Sequence, residues 1–316
     1  MKTLLKAAVV LGTITVLCPS LMAQWGAYPT PGVPKTATGE PNLAAPPPRT
    51  PDGKVDFSGI WQTGRGGGGQ RGGGQRGAGP NAAAPAATTP APADAAGRGA
   101  GGQRGGQRGA AAPAPPADGI PVATFGNAGG SMQGGLPFQP WAEELMKKRQ
   151  ADNSKDNPDA HCLPMGFMQF HNHPEPRKII QTKDLVLIIY EANSGLRSIF
   201  MDGRPLPGPD AEPWWYGYSV GKWEGDTLVV ETRGFRDGEW LDVRGSPLTN
   251  AAKVIEKFRR PTYGELEIEI TVDDPKAYTK PWTVKVNQRA MLNTELIEFI
   301  CEDRDATHYV GSEATK

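Results

Sequence analysis

The chain has 316 residues and a formal net charge of zero. Its length could hold two domains, but most of its 41 glycines and 31 prolines fall in a few stretches, which favours one globular domain. The balanced charge argues against steering by an acidic polymer, and no nucleic-acid partner is predicted.

The first 23 residues have the pattern of a secretory signal peptide. Lys2 and Lys6 precede or flank an apolar run over residues 7–17 that is too short to span a bilayer core of about 30 Å as a permanent helix. Cleavage is expected after Ala23, with a lipoprotein acylated at Cys18 as the alternative. The sequence therefore predicts a periplasmic or extracellular protein with no transmembrane segment after cleavage.

Two stretches before residue 119 are predicted to be disordered. Residues 24–52 are rich in proline, alanine and threonine and form a lead-in, and residues 64–118 form an insertion of Gly/Arg/Gln repeats and Ala/Pro tracts. The insertion has almost no large apolar residue whose burial could offset the entropy of ordering. Its arginines are expected to make at most weak contact with anionic lipid head groups.

The remaining residues predict an all-β domain. A first strand lies within residues 53–63, and the barrel domain covers residues 119–310, followed by a disordered tail at 311–316. Nine more strand-like runs recur at short spacing, a pattern typical of an antiparallel meander that forms a barrel or a related sandwich. The ten runs are Phe57–Trp61, Lys178–Thr182, Leu185–Glu191, Arg197–Asp202, Tyr218–Trp223, Thr227–Thr232, Lys253–Phe258, Leu266–Val272, Trp282–Val286 and Leu296–Cys301.

Three local patterns refine this prediction. Residues 140–150 begin with Pro140 and place acids first and bases last, which predicts a short helix. The run Leu185–Tyr190 is apolar on both faces, so another element, such as this helix, is expected to cover it. Glu224-Gly225-Asp226 predicts a tight hairpin turn between the two runs that flank it.

The hairpin is approached through adjacent tryptophans. Because neighbouring residues on an extended segment face opposite sides, we expect Trp215 in the core and Trp214 at the rim of the barrel.

Two cysteines remain after signal cleavage. Cys162 and Cys301 form an even pair in a chain predicted to enter an oxidising compartment, so a disulfide between them is expected. Two buried free thiols are the alternative.

Several motifs together resemble a family of uncharacterised secreted bacterial proteins. The matching stretches include residues 56–61 (DFSGIW), 162–166 (CLPMG), 202–205 (DGRP), 217–232 (GYSVGKWEGDTLVVET), 271–282 (TVDDPKAYTKPW) and 298–301 (EFIC). The resemblance implies export and carries no catalytic residue across. Gly59-Ile-Trp61 also has the Gly-x-Trp pattern found near the start of lipocalin-type barrels. Residues 167–173 depart from the family pattern, which usually continues into Pro-Arg.

That departing stretch contains two histidines. In a strand, His171 and His173 would point to one face, with His161 and Glu175 nearby in sequence, and imidazoles beside a carboxylate can hold zinc, iron or manganese. Because the spacing to the next carboxylate does not match a cupin site, the favoured interpretation is surface-loop histidines. No metal or other cofactor is predicted.

A second cluster of residue types predicts a ligand site at the barrel rim. A turn at residues 202–205 and a proline-rich loop are expected to gather aromatic rings and guanidinium groups, which can grip an aromatic or carboxylate ligand. The predicted ligand-binding residues are Arg197, Arg204, Trp214, Trp215, Tyr216 and Trp240. The alternative is that Arg197–Asp202 and Arg204–Glu239 are ion pairs and that the tryptophans fill the barrel.

These observations predict a secreted β-barrel that binds a small apolar or aromatic ligand at its mouth. One rival is an isomerase, cyclase or hydrolase in which Asp202 or Glu239 acts as base while Arg204 holds an anionic group. The other rival is a structural envelope protein with a filled core. Ser219 lies in a literal Gly-x-Ser-x-Gly, but a hairpin follows it instead of the helix that a hydrolase needs, so it is not predicted to be a nucleophile.

Overall fold

The computed structural model describes residues 28–64, 119–208 and 210–299. The predicted signal peptide, all but the first residue of the insertion, Cys301 and the tail lie outside these residues. The predicted disulfide between Cys162 and Cys301 therefore stays a prediction. None of the helices in the described ranges is long and apolar enough to cross a membrane.

Nine strands of the described chain close into a barrel in the order β1-β11-β10-β9-β6-β5-β4-β3-β2. This confirms the predicted all-β barrel. Two further short strands, β7 and β8, pair only with each other. The strand bounds are β1 Gly59–Thr63, β2 Arg177–Gln181, β3 Leu185–Tyr190, β4 Leu196–Phe200, β5 Tyr218–Glu224, β6 Thr227–Arg233, β7 Glu239–Trp240, β8 Pro247–Leu248, β9 Lys253–Thr262, β10 Glu265–Asp273 and β11 Trp282–Met291.

The barrel is a meander with one exception. Strands β4 and β5 pair in parallel, with Ile199 opposite Ser219, because residues 201–217 return the chain to the other end of the barrel before β5 begins. The predicted hairpin is confirmed: Glu224 pairs with Thr227, and Gly225 at the first turn position has a φ of 61°. Ser219 is buried within this hairpin, not on a helix-forming elbow.

The core lies inside the barrel and follows the two-residue period of the strands. Strand β10 illustrates the pattern, since Leu266, Ile268, Ile270 and Val272 are buried and alternate with partly exposed residues.

Helix α1, Pro140–Ala151, confirms the predicted helix but not its predicted place. Its buried residues are Ala142 and Met146, and its Arg149 side chain donates hydrogen bonds to the carbonyls of Gly238 and Gly245. The helix thus packs on the connection between β6 and β9. The expectation that it covers the outer face of β3 is wrong.

Helix α2, Phe167–Asn172, occupies the stretch in which a strand would have placed His171 and His173 on one face. All six of its residues are buried, and its His171 carbonyl accepts hydrogen bonds from Arg177 on β2 and Gln288 on β11. The His171 ring contacts Glu256 on β9. A residue that touches three strands around the barrel lies inside it, so α2 fills one end, which we call the plugged end.

The other end, which we call the turn end, carries the turns of the β5–β6 and β9–β10 hairpins. Residues 28–52 pack here, although their composition predicted disorder. Leu43 and Ala45 accept backbone hydrogen bonds from Gly264 and Tyr263, and Arg49 pairs with Asp226 at 2.7 Å. These contacts with the barrel stabilise an ordered conformation that the composition of the segment alone does not predict.

The last predicted strand, Leu296–Cys301, is also not observed in its described part. Residues 296–299 do not form a strand. Ile297 instead donates its backbone N–H to the Glu191 carboxylate.

Candidate functional site

The predicted ligand-binding residues do not form a single site. Trp215 and Trp240 line one pocket at the plugged end, whereas Arg197 lies buried inside the barrel. Arg204 lies outside the barrel, where it pairs with Asp202 at 2.6 Å and places its guanidinium 3.9 Å from the Phe200 ring centre. The predicted ion pairs Arg197–Asp202 and Arg204–Glu239 are therefore replaced by other pairs.

The two adjacent tryptophans have different neighbours, and neither belongs to the core. Trp214 is 36% exposed and packs beside Tyr218, with ring centres 5.1 Å apart. Trp215 is only partly buried, so its predicted place in the core is wrong. The Arg236 guanidinium lies 4.8 Å from the Trp215 ring centre.

The pocket that contains Trp215 has a volume of about 460 Å³, and we call it the α1 pocket. One wall is the last turns of α1 with the loop that follows, and the other is the connection after β6. Its residues are Leu145, Lys148, Arg149, Asp152, Asp156, Pro158, Trp215 and residues 236–240. The volume falls within the range of small-molecule sites in proteins.

Glu239 is the unusual member of this lining. It is 3% exposed, and neither of its carboxylate oxygens has a hydrogen-bond partner among the described residues. Burial raises the pKa of Glu239 well above its ordinary value, although the charge of Arg236 opposes the shift. The carboxyl group is therefore neutral over a pH range where glutamate is normally charged, and as an acid it can donate one hydrogen bond.

Short-range structure holds Glu239 and Trp240 in place. Strand β7 pairs with β8, and the turn between them is fixed by Asp242, whose carboxylate accepts hydrogen bonds from the N–H and hydroxyl of Ser246 and from Ala128. Arg149 lies over the Trp240 ring, 4.4 Å from its centre. Burial lowers the pKa of Arg149 to about 10, which leaves it charged at neutral pH.

Helix α2 packs against the same short strand from inside the barrel. The Gln169 amide donates a hydrogen bond of 2.9 Å to the Trp240 carbonyl. Gly166, which precedes α2, lies so close that a Cβ atom there would overlap this carbonyl oxygen. The same Cβ position is 3.6 Å from a Glu239 carboxylate oxygen, so the α1 pocket and the plug share one wall.

Behind that wall lies a buried ionic network. Arg197 on β4 donates hydrogen bonds to both oxygens of Glu256 and to Ser219 and Thr232. Burial alone raises the pKa of Glu256, but the Arg197 charge and hydrogen bonds from His171 and Arg197 outweigh it and lower the pKa to about 2. The Arg197–Glu256 ion pair joins β4 to β9, and the hydrogen bonds from Arg197 to Ser219 and Thr232 add β5 and β6.

His171 completes this network from α2. Its Nε2 lies 2.8 Å from a Glu256 oxygen and 3.1 Å from the Arg197 guanidinium. Because the ionised carboxylate only accepts, Nε2 carries the proton and donates it to Glu256, and the contact with the donor-only Arg197 is not a hydrogen bond. Burial, with the charges of Arg197 and Arg177, lowers the pKa of His171 despite the attraction of Glu256, so the ring is neutral at pH 7. The interpretation of His171 as a surface-loop residue is wrong.

The three candidate metal ligands do not converge. His173 is also buried, so its interpretation as a surface-loop residue is wrong too, and it pairs with Glu175 at 2.5 Å. His161 is exposed and contacts the Lys155 carbonyl. Among the residues that the structure describes, no three histidine, cysteine or acidic side chains are grouped as metal ligands would be.

Tyr216, the last of the predicted ligand residues, lies behind the α1 pocket. Its ring packs edge-on against Phe170 of α2, with centres 5.2 Å apart. Burial raises its pKa, and the nearby Tyr190 and Glu239 add to this shift.

Sequence reasoning missed Glu256, Arg236 and Arg149. Glu256 had a visible signal, because it occupies an inward position between Val254 and Phe258 of a strand that alternates with a two-residue period. A carboxylate on an apolar face predicts a buried partner. The two arginines have no such signal.

The fold and the pocket define a class: a closed β-barrel whose interior is filled by a short helix and whose ligand-sized pocket lies at the plugged end. Comparisons with protein-family models, curated proteins and solved structures found no match.

Proposed function

We propose that this protein is an exported β-barrel protein that binds a small aromatic molecule in the α1 pocket. The observation that carries the proposal is Glu239, a buried carboxyl group without a hydrogen-bond partner in the wall of a pocket that also contains Trp215. An unsatisfied buried carboxyl group destabilises the fold, and such groups cluster at functional sites. Export is proposed from the signal-peptide pattern alone.

The pocket's chemistry favours a ring with a polar substituent. The partly exposed Trp215 indole offers an aromatic surface, and Arg236 beside it is exposed and can follow a ligand. Apart from Glu239, the charges of the lining balance. Its three cations are Lys148, Arg149 and Arg236, and its three aspartates are Asp152, Asp156 and Asp237. A neutral aromatic molecule with a hydrogen-bonding group suits this lining better than a highly charged one.

Native mass spectrometry of the protein purified from its host tests the proposal. We expect one bound aromatic molecule per chain, reduced at least tenfold in occupancy by Trp215→Ala. Trp214→Ala is the matched control, because Trp214 is adjacent and exposed but does not line the pocket, and it should retain the ligand. Equal retention by both variants would contradict the site, and a protein that carries no molecule would favour the structural alternative.

An enzyme on the same scaffold is the second candidate, and the raised pKa of Glu239 favours it. A carboxyl group whose pKa is raised well above its ordinary value can act as a general acid. Asp202 is a poorer candidate for the general acid, because its hydrogen bond with Arg204 lowers its pKa. The same ion pair engages Arg204, which is then not free to hold an anionic substrate group. The host-derived molecule separates the two candidates, since an enzyme would convert it on prolonged incubation and a binding protein would return it unchanged.

A further inference from the structure

A second cavity lies at the turn end of the barrel, opposite the α1 pocket. It has a volume of about 700 Å³ and lies between residues 28–32 and the neighbouring ends of β1 and β11. We call it the strap pocket, after the segment 28–32 that forms its outer wall. Its apolar and aromatic lining includes Tyr28, Pro29, Pro31, Ile60, Met291 and Leu292.

The outer wall is held by a small number of specific contacts. Thr30 and Asn293 exchange two hydrogen bonds: the Thr30 N–H donates to the Asn293 side chain at 3.1 Å, and the Asn293 N–H donates to the Thr30 hydroxyl at 2.8 Å. Further along, Tyr263 and Gly264 bind the backbone of the same N-terminal stretch. The wall is thus held to the barrel at Thr30, and the same stretch is held again further along at Leu43 and Ala45.

The charged groups in the lining are already satisfied by each other or by backbone. Lys178 pairs with Glu295 at 2.6 Å. The Arg260 guanidinium donates to the carbonyls of Tyr263 and Asp56 and lies 4.8 Å from the Trp61 ring centre. The Asp56 carboxylate accepts the N–H of Ser58.

These four charged residues are two cations and two carboxylates, so the lining carries no net charge. A charged ligand would lose its hydration here without gaining an unpaired counter-charge, which is unfavourable. An uncharged apolar ligand loses little and removes apolar wall from water.

We propose that the strap pocket is a second ligand site that takes an uncharged apolar molecule. It shares no lining residue with the α1 pocket, so this proposal stands independently of the proposed function. The pocket volume lies in the upper part of the range for small-molecule sites, which suits a ligand with an extended hydrocarbon portion.

Titration of the full chain with 1,6-diphenyl-1,3,5-hexatriene tests the proposal, because this dye is uncharged and apolar, has no hydrogen-bonding group to offer Glu239 in the α1 pocket, and fluoresces strongly only when removed from water. We expect saturable binding of one dye per strap pocket. Met291→Lys should weaken it at least tenfold, since Met291 is a partly exposed lining residue and the new ammonium would have no partner in the cavity.

Two control variants make the result decisive. Ile180→Lys adds the same charge at an exposed position on the neighbouring strand β2, outside both pockets, and should bind dye as the wild type does. Trp215→Ala should also leave dye binding unchanged. Circular dichroism and a melting curve confirm that each variant is folded.

Two results would overturn the proposal. One is the absence of saturable binding. The other is loss of binding in Trp215→Ala while Met291→Lys still binds dye as the wild type does, which would place the dye in the α1 pocket.

Discussion

At the scale of single residues, Glu239 and Glu256 show how the same side chain takes opposite states in one barrel. Glu256 is buried beside Arg197 and His171, which keep it ionised, whereas Glu239 is buried with no hydrogen-bond partner among the described residues. Burial raises the pKa of both groups. The pKa of Glu256 is nevertheless low, because Arg197 and His171 stabilise its charged form more strongly than burial disfavours it.

Glu239→Gln tests the neutral state of the first carboxyl group. Because the folded-state pKa is raised, the stability from the neutral form is fully present below the unfolded value of about 4.5 and is lost as pH rises through the folded-state pKa. We expect the wild type to lose stability relative to Glu239→Gln over that window, as followed by melting curves from pH 4 to 9. A difference between the two proteins that does not change with pH would contradict a neutral Glu239.

Glu256→Gln tests the ionic network. Removing one partner leaves Arg197 buried without its counter-charge, which for buried pairs typically costs about 3–5 kcal/mol of unfolding free energy. Urea unfolding at pH 7 measures the loss. Asp202→Asn is the control, because it breaks the solvent-exposed pair with Arg204 and should leave stability close to that of the wild type. Equal stability of the two variants would mean that the network does not hold the barrel together.

At the scale of elements, α2 has two roles. It fills one end of the barrel, and it packs against the strand that forms a wall of the α1 pocket. Its six residues are all buried, and it is shorter than a helix that would be stable alone in water. Contacts with the surrounding strands therefore determine its conformation. Gly166 lets α2 approach the Trp240 carbonyl.

Gly166→Ala is expected to separate these two elements. The added methyl group must displace the Trp240 backbone, and overpacking of this kind typically costs about 1–3 kcal/mol. Gly208→Ala is the control, since a Cβ there meets nothing within 4 Å. Denaturant unfolding should show a loss only for Gly166→Ala, and equal losses would show that α2 has room to move.

The barrel itself could be predicted from the sequence, because strand patterning is local. The alternation Leu266–Val272 and the turn at Gly225 are each visible within a few residues, and both are confirmed. By contrast, α2 is too short to show a helical period, and residues 28–52 are ordered by contacts with distant residues such as Asp226.

The candidate site could be predicted only in its residue types. The residue types at the predicted rim indicate Trp215, Glu239 and Trp240 as site residues, and these three do line one pocket. Their neighbours could not be predicted. Arg149 reaches Trp240 from a helix 91 positions earlier in the chain, and no local sequence pattern indicates such a contact. Arg204 was placed in the site by sequence proximity, yet it binds Asp202 two residues away.

At the scale of the whole molecule, the two ends of the barrel have different chemistry. The plugged end carries a pocket with an unsatisfied acid and mixed charges, and the turn end carries a larger pocket whose charges are already paired. Between them the interior is filled by packed strands, α2 and the network around Arg197. A ligand is therefore expected at an end of the barrel and not within its interior.

The crystal structure of protein purified from its host, determined without added ligand, tests the central claim most directly. The account predicts electron density for a planar molecule against the Trp215 indole, with a polar atom within hydrogen-bond distance of the Glu239 carboxyl group. An α1 pocket that is empty or holds only water hydrogen-bonded to Glu239 would contradict it, whether or not the strap pocket is occupied.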